Sequence, residues 1–221
     1  ALMENLKKVQ MHFGLPVQSH LSENQSEVAW VQELCPQSEF YGDAYDRFGL
    51  FGADCSTVMA HCVYSDVRER RRMKENGVYV AHCPESNMNL SSGIAPVRAF
   101  LNEGIPVGLG SDVAGGTSED IFAAMAHAIQ ASKLRWRLVD DTLKPLTAIE
   151  AFYLGTKGGG SFFGKVGSLE EGYEFDALIV DDSAISSRDM EVKERLERLI
   201  YLSGGAKIKG KYVAGKEIFW R

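Results

Sequence analysis

Four short apolar runs in the first half of the chain each lead to a side chain that can do chemistry. Leu15-Pro-Val-Gln-Ser-His20, Thr57-Val-Met-Ala-His61 and Val78-Tyr-Val-Ala-His82 end on imidazoles, and Ile105-Pro-Val-Gly-Leu109 is followed within three residues by the carboxylate of Asp112. Glu23 stands three residues past His20. Imidazole nitrogen with carboxylate oxygen is an ordinary Zn²⁺ donor set. A free glutamate beside it is the usual proton carrier for a water that such a metal activates. Each residue also has a plainer reading. A strand-end histidine can simply hydrogen-bond, an aspartate can simply end a strand, and Glu23 can serve the dipole of the following helix. Recurrence on four successive runs is what favours a shared site of His20, Glu23, His61, His82 and Asp112. His12 and His127 fall on helical stretches and take no role. Neither His-x-His nor His-Glu-x-x-His occurs, so a mononuclear centre holding His20 and Asp112 is two ligands short.

The elements that must position these groups follow from periodicity and punctuation. Leu2, Leu6, Val9 and Phe13 have helical spacing, and Gly14 suits the stop. Ser22-Glu23-Asn24 leads into a helix with Val28, Val31 and Leu34, stopped at Cys35-Pro36; residues 37–53 read as loop and short helix. Ser65 is expected to cap a charged helix closed by Gly77. A further helix runs over Ile94–Glu103, and Thr117 or Ser118 opens one that buries Ile121, Met125, Ala128 and Ile129. Four βα units in succession imply a parallel sheet with helical crossovers. They make either half of an eight-stranded barrel, which needs about 250 residues, or an open four-strand sheet. No G-x-G-x-x-G or Walker motif accompanies the second choice. In either case the strands' C-terminal ends are the chemical face.

After the fourth unit the pattern changes. Thr147–Thr156 reads as a helix that Gly158-Gly-Gly160 loosens into turns. Val166–Asp181 contains a turn and a strand, Ser187 is expected to cap a helix carrying Val192, Leu196, Leu199 and Ile200, and Ala206–Phe219 alternates like a hairpin turning at Gly215-Lys216. These β pieces are too few to bury a sheet alone.

The 221 residues are 45% apolar and 24% charged, ordinary for a globular protein. The net charge of −6 argues against a nucleic-acid partner. No run of 18 apolar residues exists, so no membrane partner is expected, and Ala1–Gln10 lacks a signal-peptide pattern. Cys35, Cys55, Cys62 and Cys83 form no CxxC pair, which fits a reducing cytoplasm. The basic cluster Arg68-Glu69-Arg70-Arg71-Arg72 reads as the solvated face of a helix.

Several stretches together resemble the guanine deaminases of the amidohydrolase superfamily: His-Leu-Ser-Glu-Asn (20–24), Met-Ala-His-Cys-Val-Tyr (59–64), Ala-His-Cys-Pro-Glu-Ser-Asn (81–87), Leu-Ser-Ser-Gly (90–93), Gly-Leu-Gly-Ser-Asp-Val-Ala-Gly-Gly (108–116), Gly-Tyr-Glu-Phe-Asp-Ala (172–177) and Val-Ala-Gly-Lys (213–216). The resemblance implies an α/β fold: the C-terminal half of a metal-dependent (β/α)8 TIM barrel plus part of a small β-sandwich domain. Residues 1–160 would be the half barrel, strands five to eight with their helices. Residues 161–221 would be the C-terminal sandwich strands with one helix. It implies one zinc ion per site held by His20 and Asp112, with catalytic roles for Glu23, His61 and Asp112. His20, Glu23, His61 and Asp112 would contact the substrate, a small purine base. His82 and Asn87 would line or brace the site, and Gly115 and Gly116 would shape its mouth around a flat ring. The implied reaction is hydrolytic attack at C2 of guanine, giving xanthine and ammonia in purine catabolism, by a homodimeric parent enzyme.

The departures are as informative. The family's His-x-His, an Arg-Phe pair and the first barrel strands have no counterpart here, and its members are about twice as long. The chain is therefore expected to be a C-terminal half or fragment, inactive alone. Two alternatives stand beside this: another amidohydrolase deaminase acting on a different purine, a pterin or a triazine, or a non-catalytic half-barrel module that pairs with another chain.

Overall fold

A short parallel sheet forms the centre of the molecule, with helices carrying the chain from each strand to the next. The computed structural model describes residues 2–218; Ala1 and residues 219–221, with the Phe219 end of the expected hairpin, lie outside the described residues. Helix α1 (Leu2–Phe13) ends at Gly14, whose φ of +61° is left-handed. Then follow β1 (Val17–Leu21), α2 (Gln25–Leu34), α3 (Asp43–Asp46), β2 (Thr57–His61), α4 (Val67–Asn76), β3 (Tyr79–His82), α5 (Pro84–Asn89), α6 (Val97–Glu103), β4 (Val107–Leu109) and α7 (Ile121–Leu138). The strands lie in the order β1-β2-β3-β4, all parallel, with Val17 beside Thr57, Val58 beside Tyr79 and Val80 beside Val107. Parallel neighbours need long crossovers, which the helices supply. Met59, Val80, Phe100, Ile105, Val107, Met125 and Ile129 fill the core between sheet and helices.

Strand ends fall close to where the apolar runs place them, whereas helix starts shift. Asp66, not Ser65, caps α4 by accepting from Glu69 N–H at 2.9 Å. Asp120, not Thr117 or Ser118, caps α7 by accepting from Phe122 N–H at 2.9 Å, and Ser118 Oγ accepts from Asp120 N–H. Helix α6 begins at Val97 rather than Ile94, because Pro96 holds the preceding residue out of helical geometry. Ile121 is only partly buried, while Met125, Ala128 and Ile129 are inside as expected. Helix α5, with Pro84 in its first turn, is additional to the expected elements.

Helix α8 (Ala148–Tyr153) opens with a full capping box between Thr147 and Glu150. The expected loosening at Gly158–Gly160 does not occur: the chain stays helical through a π turn, Leu154–Gly158, and on to Gly160. The glycines serve close packing instead. A Cβ on Gly108 of β4 would lie 2.7 Å from Gly159 Cα, and one on Gly158 would lie 2.8 Å from Val107 O.

The last quarter holds β5 (Ala177–Asp181), α9 (Val192–Leu202), β6 (Lys207–Val213) and β7 (Lys216–Glu217), an antiparallel sheet in the order β5-β6-β7. Glu191, not Ser187, is the residue at the start of α9, and it makes no side-chain cap. Helix α9 packs on α7, places Ile200 in the main core, and is followed by Ser203, whose hydroxyl donates to Asp120 Oδ2 at 2.6 Å. The hairpin turns at Ala214-Gly215, both at positive φ, one residue before the expected place. No helix among the described residues is long and apolar enough to cross a membrane.

Candidate active site

The candidate side chains sit at or just past strand ends, and at three of these places the backbone turns sharply. Ser22 after β1, His61 at the end of β2 and Asp112 after β4 have φ of +47°, +71° and +48°. Left-handed backbone at a non-glycine residue costs about 1 kcal/mol or more and is held by surrounding contacts. At Ser22 the holding group is Glu69 of α4, a buried carboxylate. Its Oε2 accepts from the Ser22 hydroxyl at 2.9 Å and its Oε1 from Gly42 N–H at 2.8 Å. Burial pushes the Glu69 pKa up, partly offset by these hydrogen bonds. The stretch expected to be a solvated basic face is thus pinned inward at Glu69. Arg68, Arg70 and Arg72 pair with Asp66, Glu103 and Asp46.

His20 is exposed at the end of β1. Just beyond it, Asn24 caps α2 by accepting from Glu27 N–H, and Glu27 Oε2 accepts from Glu23 N–H, each at 2.8 Å. These bonds fix the backbone from which the Glu23 side chain projects. Glu23 Oε1 accepts from the Ser92 hydroxyl at 2.7 Å. His61 is 1% exposed, and its ring lies edge-on to that of His20, with centroids 4.9 Å apart. Asn87 Oδ1 lies 2.8 Å from His61 Nδ1 and accepts a hydrogen bond from the Nδ1–H form of the ring. Nε2, left with its lone pair, has no hydrogen-bond partner although buried. It faces Glu23 Oε2 at 3.8 Å and Asp112 Oδ2 at 4.0 Å.

Asp112 is half-buried and accepts from the Ser86 hydroxyl at 2.5 Å on Oδ2. The following glycines fold back onto it. Gly116 N–H donates to Asp112 O at 2.7 Å, and a Cβ on Gly115 would meet Ser86 Oγ at 2.5 Å and Asp112 Oδ2 at 2.7 Å. They are required by the tight turn carrying the carboxylate. His82 is buried, its Nδ1 has no partner, and burial together with neighbouring His61 pushes its pKa down to about 3. Cys83 is pushed up to about 12 by burial and then by the charge of Asp112, so it stays a thiol. All four cysteines are free.

The structure brings His20, Glu23, His61 and Asp112 together around one point. His20, Glu23 and His61 each offer a ligand atom within 4.8 Å of the others. Asp112 is outside that tight group but reaches His61 Nε2 at 4.0 Å, whereas His82 is buried behind it and senses His61 only through its charge. Nitrogen and carboxylate donors facing one another beyond hydrogen-bond distance, around a buried imidazole nitrogen without a partner, suit a small cation such as zinc with its water. Sequence reasoning missed Ser86 and Ser92. Both lie in or beside stretches that carried the family resemblance, but nothing in a serine's spacing announced its partner.

The amidohydrolase family model matches residues 1–218. The crystal structure of guanine deaminase from C. acetobutylicum, with bound guanine in the active site, is 50% identical with a TM-score of 0.93, over 99% of this chain and 52% of that one. The probable guanine deaminase of Schizosaccharomyces pombe is 38% identical over 185 residues, 82% of this chain and 35% of that protein. An adenosine deaminase from Xanthomonas campestris with bound zinc is 27% identical, with a TM-score of 0.81 over 97% of this chain and 48% of that one. The chain spans about half the length, or less, of these relatives.

Proposed function

Because this chain belongs to the amidohydrolase family, we propose that it supplies one half of a zinc-dependent (β/α)8 barrel that hydrolyses guanine to xanthine and ammonia. Residues 1–160 form the half barrel in this reading, and residues 161–221 belong to a small β domain. The observation that carries it is the convergence of His20, Glu23 and His61 at adjacent parallel strand ends. Likeness to a guanine-bound relative supports the choice of substrate.

His20 and Asp112 would hold the metal, with the remaining ligands supplied from outside residues 1–221. When bound, zinc supplies Lewis-acid chemistry that brings the pKa of water down to about 7. Glu23 takes one proton from the attacking water and delivers it to the ring nitrogen beside C2, then takes the second from the hydroxyl added at C2 and delivers it to the amine, which leaves as ammonia. With Nδ1–H committed to Asn87, His61 accepts a hydrogen bond at Nε2 and orients the attacking water. His82, held neutral, adds no positive charge beside the metal ligands. The substrate is a small purine base lying against His20, Glu23, His61 and Asp112, in a homodimeric parent protein.

The test is ammonia release by the zinc-loaded full-length protein on guanine, adenine, adenosine, cytosine and a triazine. Guanine is expected to be strongly preferred, with activity lost to a chelator and restored by zinc. Preference for adenosine, the substrate class of the Xanthomonas relative, would overturn the guanine assignment while leaving the family intact.

A further inference from the structure

The groups assigned to the chemistry come from three separate places: the loop after β1, the end of β2 and the loop after β4. One short segment touches all three. Ser86 of α5 donates to Asp112 Oδ2 at 2.5 Å, Asn87 accepts from His61 Nδ1–H at 2.8 Å, and Ser92, just past the helix, donates to Glu23 Oε1 at 2.7 Å. The partners lie 26, 26 and 69 residues away in sequence. All three side chains are buried, at 0%, 1% and 3% exposure. Buried polar groups of this kind need partners, and the hydroxyls of Ser86 and Ser92 and Oδ1 of Asn87 find theirs in the reacting groups themselves, while Asn87 Nδ2 has none.

The segment is tied to itself at the same places. Leu90 N–H donates to Ser86 O at 2.9 Å, and Ser92 N–H donates to Asn87 O at 2.8 Å. A Cβ on Gly93 would lie 3.0 Å from both Tyr64 Oη and Val63 Cγ1, so the end of the segment is seated against the loop after β2. The three contacts therefore share one rigid support. Each serine engages one carboxylate oxygen and so sets the plane of the group; for Glu23 the free Oε2 faces His61 Nε2, and for Asp112 the bonded Oδ2 itself does. Asn87 fixes the imidazole tautomer, leaving the lone pair of His61 on Nε2.

We propose that Pro84–Ser92 is the positioning element of the centre, with Ser86, Asn87 and Ser92 as positioning residues for Asp112, His61 and Glu23. This rests on the deaminase reading above, but two of its three tests do not need that reading to hold. Partners that orient metal ligands are typically worth about 10–100-fold in metal affinity or activity. In the full-length protein, Ser86→Ala should weaken zinc binding by about 10-fold or more, measured by competition with a chromophoric chelator. Ser92→Ala should leave zinc affinity unchanged and lower kcat by about 10-fold at unchanged KM, since Glu23 is placed as proton carrier rather than ligand. Asn87→Ala should convert His61 from the Nδ1–H form to a tautomer mixture in long-range ¹H–¹⁵N spectra. Met88→Ala, on the same helix but facing solvent, should change none of these.

Ser86→Cys and Ser92→Cys keep the volume and lose the strong donor, so they should repeat the alanine effects even if the alanine variants fold poorly. Wild-type behaviour in the serine variants, with an unaltered His61 tautomer in Asn87→Ala, would overturn the proposal. So would uniform losses that merely track lowered Tm. If the wild type does not turn over guanine, the substrate assignment falls, and the zinc and tautomer measurements still decide whether this segment positions the centre.

Discussion

At the scale of single residues, Glu23 and His82 make opposite demands on the site. In the proposed reaction Glu23 exchanges a proton, so Glu23→Gln should keep the Ser92 contact and zinc content yet lower kcat by about 10²–10⁴-fold. Metal analysis beside steady-state rates checks this, and a retained kcat would remove Glu23 from the mechanism. His82 must not carry a proton. Its pKa is pushed down from 6.5 to about 3 by burial and by His61. A base with a depressed folded pKa protonates more readily once unfolded. Its contribution to stability is therefore fully present above pH 6.5 and is lost as pH falls toward about 3. Thermal unfolding across that window should show a steeper acid loss for wild type than for His82→Gln; parallel profiles would show that His82 does not drive the acid limb. His20, Glu23, His61 and Asp112 were legible because imidazoles and carboxylates at the ends of apolar runs stand out. Ser86 and Ser92 were not, because a hydroxyl gains its role only from a partner distant in sequence.

At the scale of elements, the centre depends on how closely helix and strand approach behind it. The backbone of β4, which leads to Asp112, packs directly on the glycine-rich turn after α8. Gly108→Ala would put a methyl group 2.7 Å from Gly159 Cα, where backbone rather than a flexible side chain must yield. A loss of about 1–3 kcal/mol is expected by urea unfolding. Gly204→Ala, with nothing within 4 Å of its added Cβ, should stay within about 0.5 kcal/mol of wild type. Equal effects of the two substitutions would show that close packing is not what those glycines provide. The strands were readable from sequence because buried parallel strands are apolar runs. The helix caps shifted because Ser65 competes with Asp66, and Thr117 and Ser118 with Asp120, and only the folded backbone selects one acceptor. The glycine run misread as a loosened turn shows the same limit: Gly158 and Gly159 look like breakers until the strand they touch is present.

At the scale of the molecule, the described residues leave much apolar surface uncovered. On α1, Leu2 and Phe13 are 72% and 66% exposed, although their spacing is that of a buried helix face. The four-strand sheet has β1 and β4 at its edges, and an apolar groove of about 940 Å³ runs between α7, α8 and the second sheet, lined by Phe122, Phe152, Leu178 and Tyr212. Uncovered sheet edges and apolar faces invite association. The 221-residue chain on its own is therefore expected to self-associate in size-exclusion chromatography and to release no ammonia from guanine. A monodisperse monomer, or guanine turnover by that chain, would contradict the half-barrel reading.

The sequence by itself determined the alternation of strands and helices, the parallel sheet and the imidazoles and carboxylates placed at its strand ends. These are encoded locally, in apolar periodicity and in residues whose chemistry is scarce. Tertiary structure alone decided that His20, Glu23 and His61 come within ligand distance, and that Asp112 faces the free nitrogen of His61. It also decided that one nine-residue segment holds three of those groups in place. The reason is physical: distances between strand ends are set by sheet register and backbone turns, and a hydrogen bond across 69 residues leaves no trace in the spacing of either partner.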